Sequence, residues 1–275
     1  VNKMDLLDFS EEKFNAIVTA YNQLATQLGL KDVRFIPVSA LHGDNLVYAS
    51  EHTPWYSGEP ILTILENLPS VDDVSHDSTN FYFPVQLVIR QDANKADDFR
   101  GYQGRVERGS VKLGQHIRIE PFGLTATVTE IITPKGEVQQ AVAGEAVTIR
   151  LDKDIDISRG DVFVDEQSPL TPQKQLHATL CWFDERPLNT ARKYLLKHGT
   201  QTVLAKISKI ENVLNVHSLA HENGATILNM NDIANVSLTL QKPIVSTTYA
   251  ENIAGGSFIF VDEATYNTVA AGMIA

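Results

Sequence analysis

Between residues 81 and 164 the chain is a series of short β-prone runs cut at near-regular intervals by glycine. The runs 81–90, 104–107, 116–120, 125–133, 146–151 and 161–164 are rich in β-branched and aromatic residues. Gly101, Gly109, Gly114, Gly123, Gly136, Gly144 and Gly160 separate them at turn spacing. Many short strands with glycine turns fold as a closed barrel or a sandwich, because no single one can shelter its apolar face. After Pro169 and Pro172 the same texture returns in 176–183, 202–210, 235–240 and 256–261. Two all-β domains are expected, over 80–168 and 173–275.

Residues 1–72 read differently. Phe14, Ile17, Val18, Tyr21, Leu24, Ala25 and Leu28 recur at intervals of three and four, one stripe on a helix. Ser10 suits its N-cap, Glu11 and Glu12 its positive end, and Gly29 its C-cap. Residues 33–38 form a short β-branched and aromatic run, expected as a buried strand. Pro60 opens a second amphipathic helix carrying Ile61, Leu62, Leu65 and Leu68. Helix, strand and helix in that order are one side of a parallel α/β sheet. One strand cannot complete a sheet, so the expectation is the C-terminal part of an α/β domain, the chain beginning inside it. The polar, aperiodic stretch 69–80 (PSVDDVSHDSTN) reads as a linker.

Charge narrows the function classes. The 275 residues carry a formal net charge of −11, distributed as −8 over 1–79, −3 over 80–173 and 0 over 174–275. No window offers the basic face that phosphate backbones require, so no nucleic-acid partner is expected. No apolar run approaches a membrane span and no signal peptide opens the chain, so no membrane role is expected. Cys181, the only cysteine, cannot form an internal disulfide, which suits a reducing cytoplasm.

The strongest local signal is Val1-Asn2-Lys3-Met4-Asp5. N-K-x-D after a buried strand is the guanine-reading element of GTP-binding proteins. Guanine presents two adjacent donors, N1–H and the exocyclic amino group, and the Asp5 carboxylate accepts both. Adenine has an acceptor at N1 and no amino group at C2, leaving Asp5 unpaired at a cost of roughly 1–3 kcal/mol per buried group. Lys3 would cover one face of the base and Asn2 would tie the loop to its neighbours. Ser39-Ala40-Leu41 stands after the run 33–38, where a second base loop belongs, with the Ala40 N–H expected to donate to guanine O6.

A phosphate cradle, G-x-x-x-x-G-K-[ST], is not among these 275 residues. The stretch from Gly104 to Ser110 has the glycine spacing without the lysine. Asp98-Phe-Arg-Gly101 matches a loose D-x-x-G pattern in the wrong order relative to Asp5. Both read as turn chemistry. The chain alone is not expected to hydrolyse GTP, and the ligands for Mg²⁺ are absent from it.

These motifs together resemble the translation-factor class of GTPases. Gly101-Tyr-Gln-Gly-Arg-Val-Glu-Arg-Gly-Ser-Val-Lys-Leu-Gly114 is similar to the second domain of that class, with Val106, Val111 and Leu113 expected inside the barrel. Within the class the chain resembles the large, GTP-binding subunit of bacterial sulfate adenylyltransferase. The narrower likeness rests on Asp44-Asn45-Leu46, Trp55-Tyr56-Ser57-Gly58, Arg159-Gly160-Asp161-Val162 and the end from Gly256 to Ile274. The resemblance implies the rear of a P-loop GTPase domain over 1–72, followed by two elongation-factor-like barrels. It implies GTP as cofactor, read at Asn2, Lys3, Asp5, Ser39, Ala40 and Leu41, with Mg²⁺ only in the complete subunit. It further implies GTP hydrolysis coupled to formation of adenosine 5′-phosphosulfate and pyrophosphate from ATP and sulfate. A smaller ATP-binding catalytic subunit is the implied partner, in a heterodimer or higher assembly.

Other constellations read as structural. His217, His221 and Glu222 precede Asn223-Gly224 and are expected as exposed turn residues. Cys181, between Leu180 and Trp182, is expected as a buried, inert thiol. Trp55 and Tyr56 are expected to pack, and Arg90, Lys95, Arg100, Arg105 and Arg108 to form a solvated face. Two other readings stay open on sequence: an elongation-type GTPase fragment, and a two-barrel scaffold for protein contact.

Overall fold

The structure, a computed structural model, describes residues 1–68, 80–90 and 99–275. Residues 69–79 of the expected linker, Lys95, and Asp98 of the D-x-x-G pattern lie outside these. The chain divides into two units, Val1–Val74 and Ser75–Ala275.

In the first unit, helix α1 (Glu11–Leu28) begins where the Ser10 hydroxyl accepts from the Lys13 N–H (3.3 Å) and ends at Gly29 in the left-handed region. Phe14 and Ala25 are buried, with the Phe14 ring 5.2 Å from that of Trp55. Ile17, Tyr21, Leu24 and Leu28 remain 38–50% exposed, so this unit covers only one edge of the stripe. Helix α2 (Ile61–Glu66) follows Pro60 and stops short of Leu68. Its first N–H groups donate outside the helix, Ile61 to Asn45 O and Leu62 to Leu46 O, which satisfies orphan donors of the first turn. The run 33–38 departs from expectation. It is not part of a ladder; only Val1 and Met4 hydrogen-bond to Ile36 and Val38. With no further partner segment among the described residues, an extended stretch has nothing to build a sheet with.

The second unit holds two closed barrels. The first comprises β1 (Tyr82–Arg90), β2 (Arg100–Arg105), β3 (Ser110–Lys112), β4 (His116–Glu120), β5 (Leu124–Thr133), β6 (Gly136–Glu137), β7 (Gln140–Val142), β8 (Ala146–Leu151) and β9 (Val162–Asp165). Six strands close in the order β4-β9-β1-β2-β8-β5, all neighbours antiparallel, and β5 returns to β4. Strand β6 extends β5, and β3 with β7 makes a separate ribbon. Inward-facing Phe83 and Phe163 stack at 5.5 Å, and Tyr102 meets Phe163 edge-on. Val106 and Val111 are fully buried, as expected, but Leu113 is 42% exposed: it lies past the end of β3, in the turn with Gly114. Gly109 needs its freedom: its φ is 69°, and a Cβ there would stand 2.9 Å from Phe81 N. Gly101, expected at a turn, lies inside β2.

The second barrel comprises β10 (Gln173–Trp182), β11 (Tyr194–His198), β12 (Gln201–Leu214), β13 (His221–Asn223), β14 (Ile233–Ile244), a four-residue helix α3 (Ile253–Gly256), β15 (Ser257–Val261) and β16 (Thr268–Ile274). The ring runs β11-β15-β16-β10-β14-β12 and back to β11, with β13 appended to β12. Trp182, Tyr194 and Phe260 form its aromatic centre, with ring centroids 5.6 and 5.7 Å apart. Between the barrels lies a small apolar cluster of Tyr82, Val162, Val164 and Val245. There Asn252 Nδ2 donates to Glu107 O (2.9 Å).

Cys181 is half-buried on the outward side of β10 rather than in the core, since its neighbours Leu180 and Trp182 occupy the inside. Burial raises the thiol pKa, as an inert role requires. His217, His221 and Glu222 are exposed, as expected, but only His217 lies in a turn: His221 and Glu222 belong to β13, which pairs with the end of β12. His221 meets Asn212 Oδ1 and Glu222 accepts from Asn215 Nδ2. Arg100 is not a solvated residue: its side chain is 14% exposed and ion-paired to Asp154 and Asp156. Among the described residues no helix is long and apolar enough to cross a membrane.

Candidate functional site

The two motif loops of the first unit are joined by backbone pairing. Val1 N–H donates to Ile36 O (2.7 Å), Val1 O accepts from Val38 N–H (2.9 Å), and Met4 N–H donates to Val38 O (3.1 Å). Bonds from Val1 to both residues flanking Pro37 follow the parallel pattern, so the loops leave the same end of two adjacent extended segments. Met4 is fully buried and anchors a single 3₁₀ turn, Met4–Leu7. Lys3, immediately before it, holds the left-handed conformation with φ 65°. Such backbone in a residue with a Cβ persists only where its surroundings impose it.

Asn2 supplies that constraint. Its Oδ1 accepts from Lys3 N–H (2.7 Å) and from Ala40 N–H (3.1 Å), tying the first loop to the second across 38 positions. The Ala40 N–H, expected to be reserved for guanine O6, is thus engaged by Asn2 in the structure. Asp5 is half-buried in the first position after Met4, and among the described residues nothing donates to its carboxylate. Lys3 is exposed. Ser39 is fully buried, and its carbonyl accepts from Gly43 N–H (2.8 Å) and Asp44 N–H (3.1 Å). That turn leaves Ala40 and Leu41 at the surface, Leu41 80% exposed. Asn2, Lys3, Asp5, Ser39, Ala40 and Leu41 therefore belong to one pair of neighbouring loops.

A polar network behind the second loop was visible in sequence only as the Asp-Asn pair. Asn45, 1% exposed, donates from Nδ2 to Pro37 O (2.7 Å) and Thr53 Oγ1 (2.9 Å) and accepts from Ser50 N–H (2.8 Å). Asp44 Oδ1 accepts from Ser50 Oγ (2.6 Å) and meets His52 Nδ1 (2.9 Å). The Ser50 bond, then the His52 bond, hold the Asp44 carboxyl below the usual carboxylate range against the opposing effect of burial. Trp55 packs, as expected, and its Nε1 donates to Phe9 O (3.1 Å). Among the described residues no group of His, Cys, Asp and Glu is placed to hold a metal ion.

Two family descriptions match the barrels. Residues 102–164 match Elongation factor Tu domain 2, and residues 175–275 match GTP-eEF1A C-terminal domain-like. The architecture is similar to crystal structures of sup35 complexed with GMPPNP and with GDP. Their TM-scores are 0.66 and 0.67 at 21% identity, over all of this chain and 68% of theirs. That likeness is one of fold. Among relatives, the bifunctional enzyme CysN/CysC of Mycobacterium tuberculosis is 41% identical over the whole chain, which spans 44% of it. Sulfate adenylyltransferase subunit 1 of Cellvibrio japonicus is 40% identical, with 57% of its length spanned. The bifunctional enzyme NodQ of Rhizobium tropici is 42% identical, with 42% spanned. The chain thus spans about half the length of these relatives. Aligned end to end at 40–42% identity, it is a homologue of the C-terminal part of the sulfate adenylyltransferase subunit 1 proteins.

Proposed function

We propose that residues 1–72 are the base-reading rear of a GTPase domain, and that the chain is the C-terminal portion of the GTP-binding subunit of sulfate adenylyltransferase. The single observation that carries the base-reading half is Asn2 Oδ1 bridging Lys3 N–H and Ala40 N–H, which unites two loops 38 positions apart. The donor set fits guanine at Asp5, whose carboxylate is left for the two donors on the ring. It fits O6 at Ala40 once that N–H is shared between Asn2 and the base. Lys3, fixed in the left-handed region, is exposed on the same loop, its stem available to cover one face of the base.

In this reading the nucleotide is GTP. The phosphate half of the site and the Mg²⁺ ligands come from sequence outside these 275 residues, so the chain alone does not hydrolyse GTP. The complete subunit couples that hydrolysis to adenylyl transfer from ATP to sulfate, carried out on a smaller ATP-binding subunit in the cytoplasm. The net charge of −11 disfavours the RNA-delivery alternative.

Asp5→Asn in the complete subunit tests the base assignment. An amide both donates and accepts, so it pairs with xanthine, which has a carbonyl where guanine has its amino group. GTP affinity should fall at least about a hundredfold and XTP affinity should rise, since sites built on such pairing discriminate by roughly 10⁴–10⁵. Unchanged GTP affinity overturns the assignment.

A further inference from the structure

The two base loops are attached to each other a second time, through side chains that the base-reading motif does not include. We propose that His52 is a positioning residue for base recognition, holding the 2–5 loop and the 39–41 loop at fixed spacing through Phe9 on one side and Asp44 on the other. The inference rests on the guanine reading above.

The connection can be followed bond by bond. Phe9 N–H donates to Met4 O (2.9 Å), closing the turn that carries Asp5. The Phe9 ring stacks on the His52 imidazole with centroids 4.8 Å apart and planes 22° from parallel. His52 Nδ1 lies 2.9 Å from Asp44 Oδ1, and Asp44 N–H donates to Ser39 O (3.1 Å). Asp44 is an acceptor here, so Nδ1 carries the proton. The Asp44 side chain is 8% exposed, and its Oδ2 is buried without a partner among the described residues. The carboxylate is therefore held by Ser50 and His52 acting on one oxygen.

Mechanically, the Asn2–Ala40 bond, lying beyond the backbone bonds of Val1 and Met4, leaves the exposed loop tips free to pivot. Attachment through Phe9, His52 and Asp44 removes that freedom. Recognition by paired donors and acceptors demands placement within about 0.5 Å. The His52 side chain is itself 64% exposed, so it contributes little to buried surface and its replacement leaves the fold intact.

The test uses the ¹⁵N-labelled chain of residues 1–275, with guanosine as the probe. Three variants separate the contacts: His52→Ala removes both, His52→Gln keeps a donor for Asp44, and His52→Phe keeps the stack on Phe9. In His52→Ala the Ala40 N–H should exchange with solvent about tenfold faster, and guanosine should bind about tenfold more weakly. Gln and Phe should each restore part of both, while barrel amides stay unchanged. Unchanged Ala40 exchange in His52→Ala overturns the inference regardless of binding. Faster exchange with unaltered guanosine affinity also overturns it, since the tether then has no bearing on the base. No restoration by either replacement assigns the loss to local unfolding and overturns it as well. Guanosine shifting none of the 1–5 and 39–41 amides in the unsubstituted chain overturns the guanine reading, and this inference with it.

Discussion

The Tyr82 hydroxyl donates to the Val245 carbonyl across 3.0 Å, from the first strand of one barrel to the residue that follows β14 in the other. Both residues are 2% exposed, and burial pushes the Tyr82 phenol pKa far above its ordinary value. The hydroxyl is consequently held as a protonated donor. Removing it strands a buried carbonyl at the seam.

Tyr82→Phe should therefore destabilise Ser75–Ala275 by about 1–3 kcal/mol, the penalty for an unsatisfied buried acceptor. For a unit of this size that is a fall in Tm of roughly 2–4 °C per kcal/mol, read by calorimetry. A Tm within about one degree of the parent would mean that the seam does not depend on this bond.

His198 gives the second barrel a pH dependence of known sign. It is 4% exposed, and its Nε2 donates to Gly255 O (2.8 Å). Burial lowers its pKa below 6.5, more than the Gly255 carbonyl raises it. The folded state thus disfavours the second proton that the unfolded chain accepts. Stability is complete above the unfolded value and falls as pH drops through it toward the folded one. Glu107 lines one cavity together with His198 and Arg159; burial raises its pKa, so it acts in the opposite sense in the carboxylate range. Denaturant midpoints at about pH 7.5 and about pH 5.5 should differ in the parent, and much less in His198→Gln, which keeps a donor but does not titrate.

Gly272 in β16 sits beneath a ring. A Cβ there would lie 2.2 Å from Phe258 Cζ, and Phe258 is 3% exposed in a packed barrel. Gly272→Ala, elsewhere in a strand a neutral or favourable change, should cost about 1–3 kcal/mol by overpacking. The denaturation midpoint reads the loss. Phe258→Leu in the same molecule should remove part of it, and a loss indifferent to residue 258 would reject the steric cause.

The parts of the structure legible from sequence are those governed by near neighbours. Ser10 and Gly29 bound α1 because capping involves residues three or four apart. Gly109, Gly114, Gly123, Gly136, Gly144 and Gly160 all hold positive φ, because turn geometry is local. Gly101 misled the same reasoning: it is set in β2 by Thr148 and Phe99, which leave no room for a Cβ. Strand β16, with Ala270, Ala271 and Gly272, carries too weak a β-propensity to be read as a strand; pairing with β10 and β15 makes it one.

The two motif loops divide the same way. Hydrogen-bond polarity at Asp5 and the order of the two motifs were readable because the chemistry of a side chain travels with its identity. Tertiary structure alone decided that Ala40 N–H meets Asn2 Oδ1, and that His52 stands between Phe9 and Asp44. It alone decided which strands close each barrel, and that Tyr82 reaches Val245 across 163 positions. Contacts at such separation are selected by competition among all packings of the chain, and no local preference encodes which one wins.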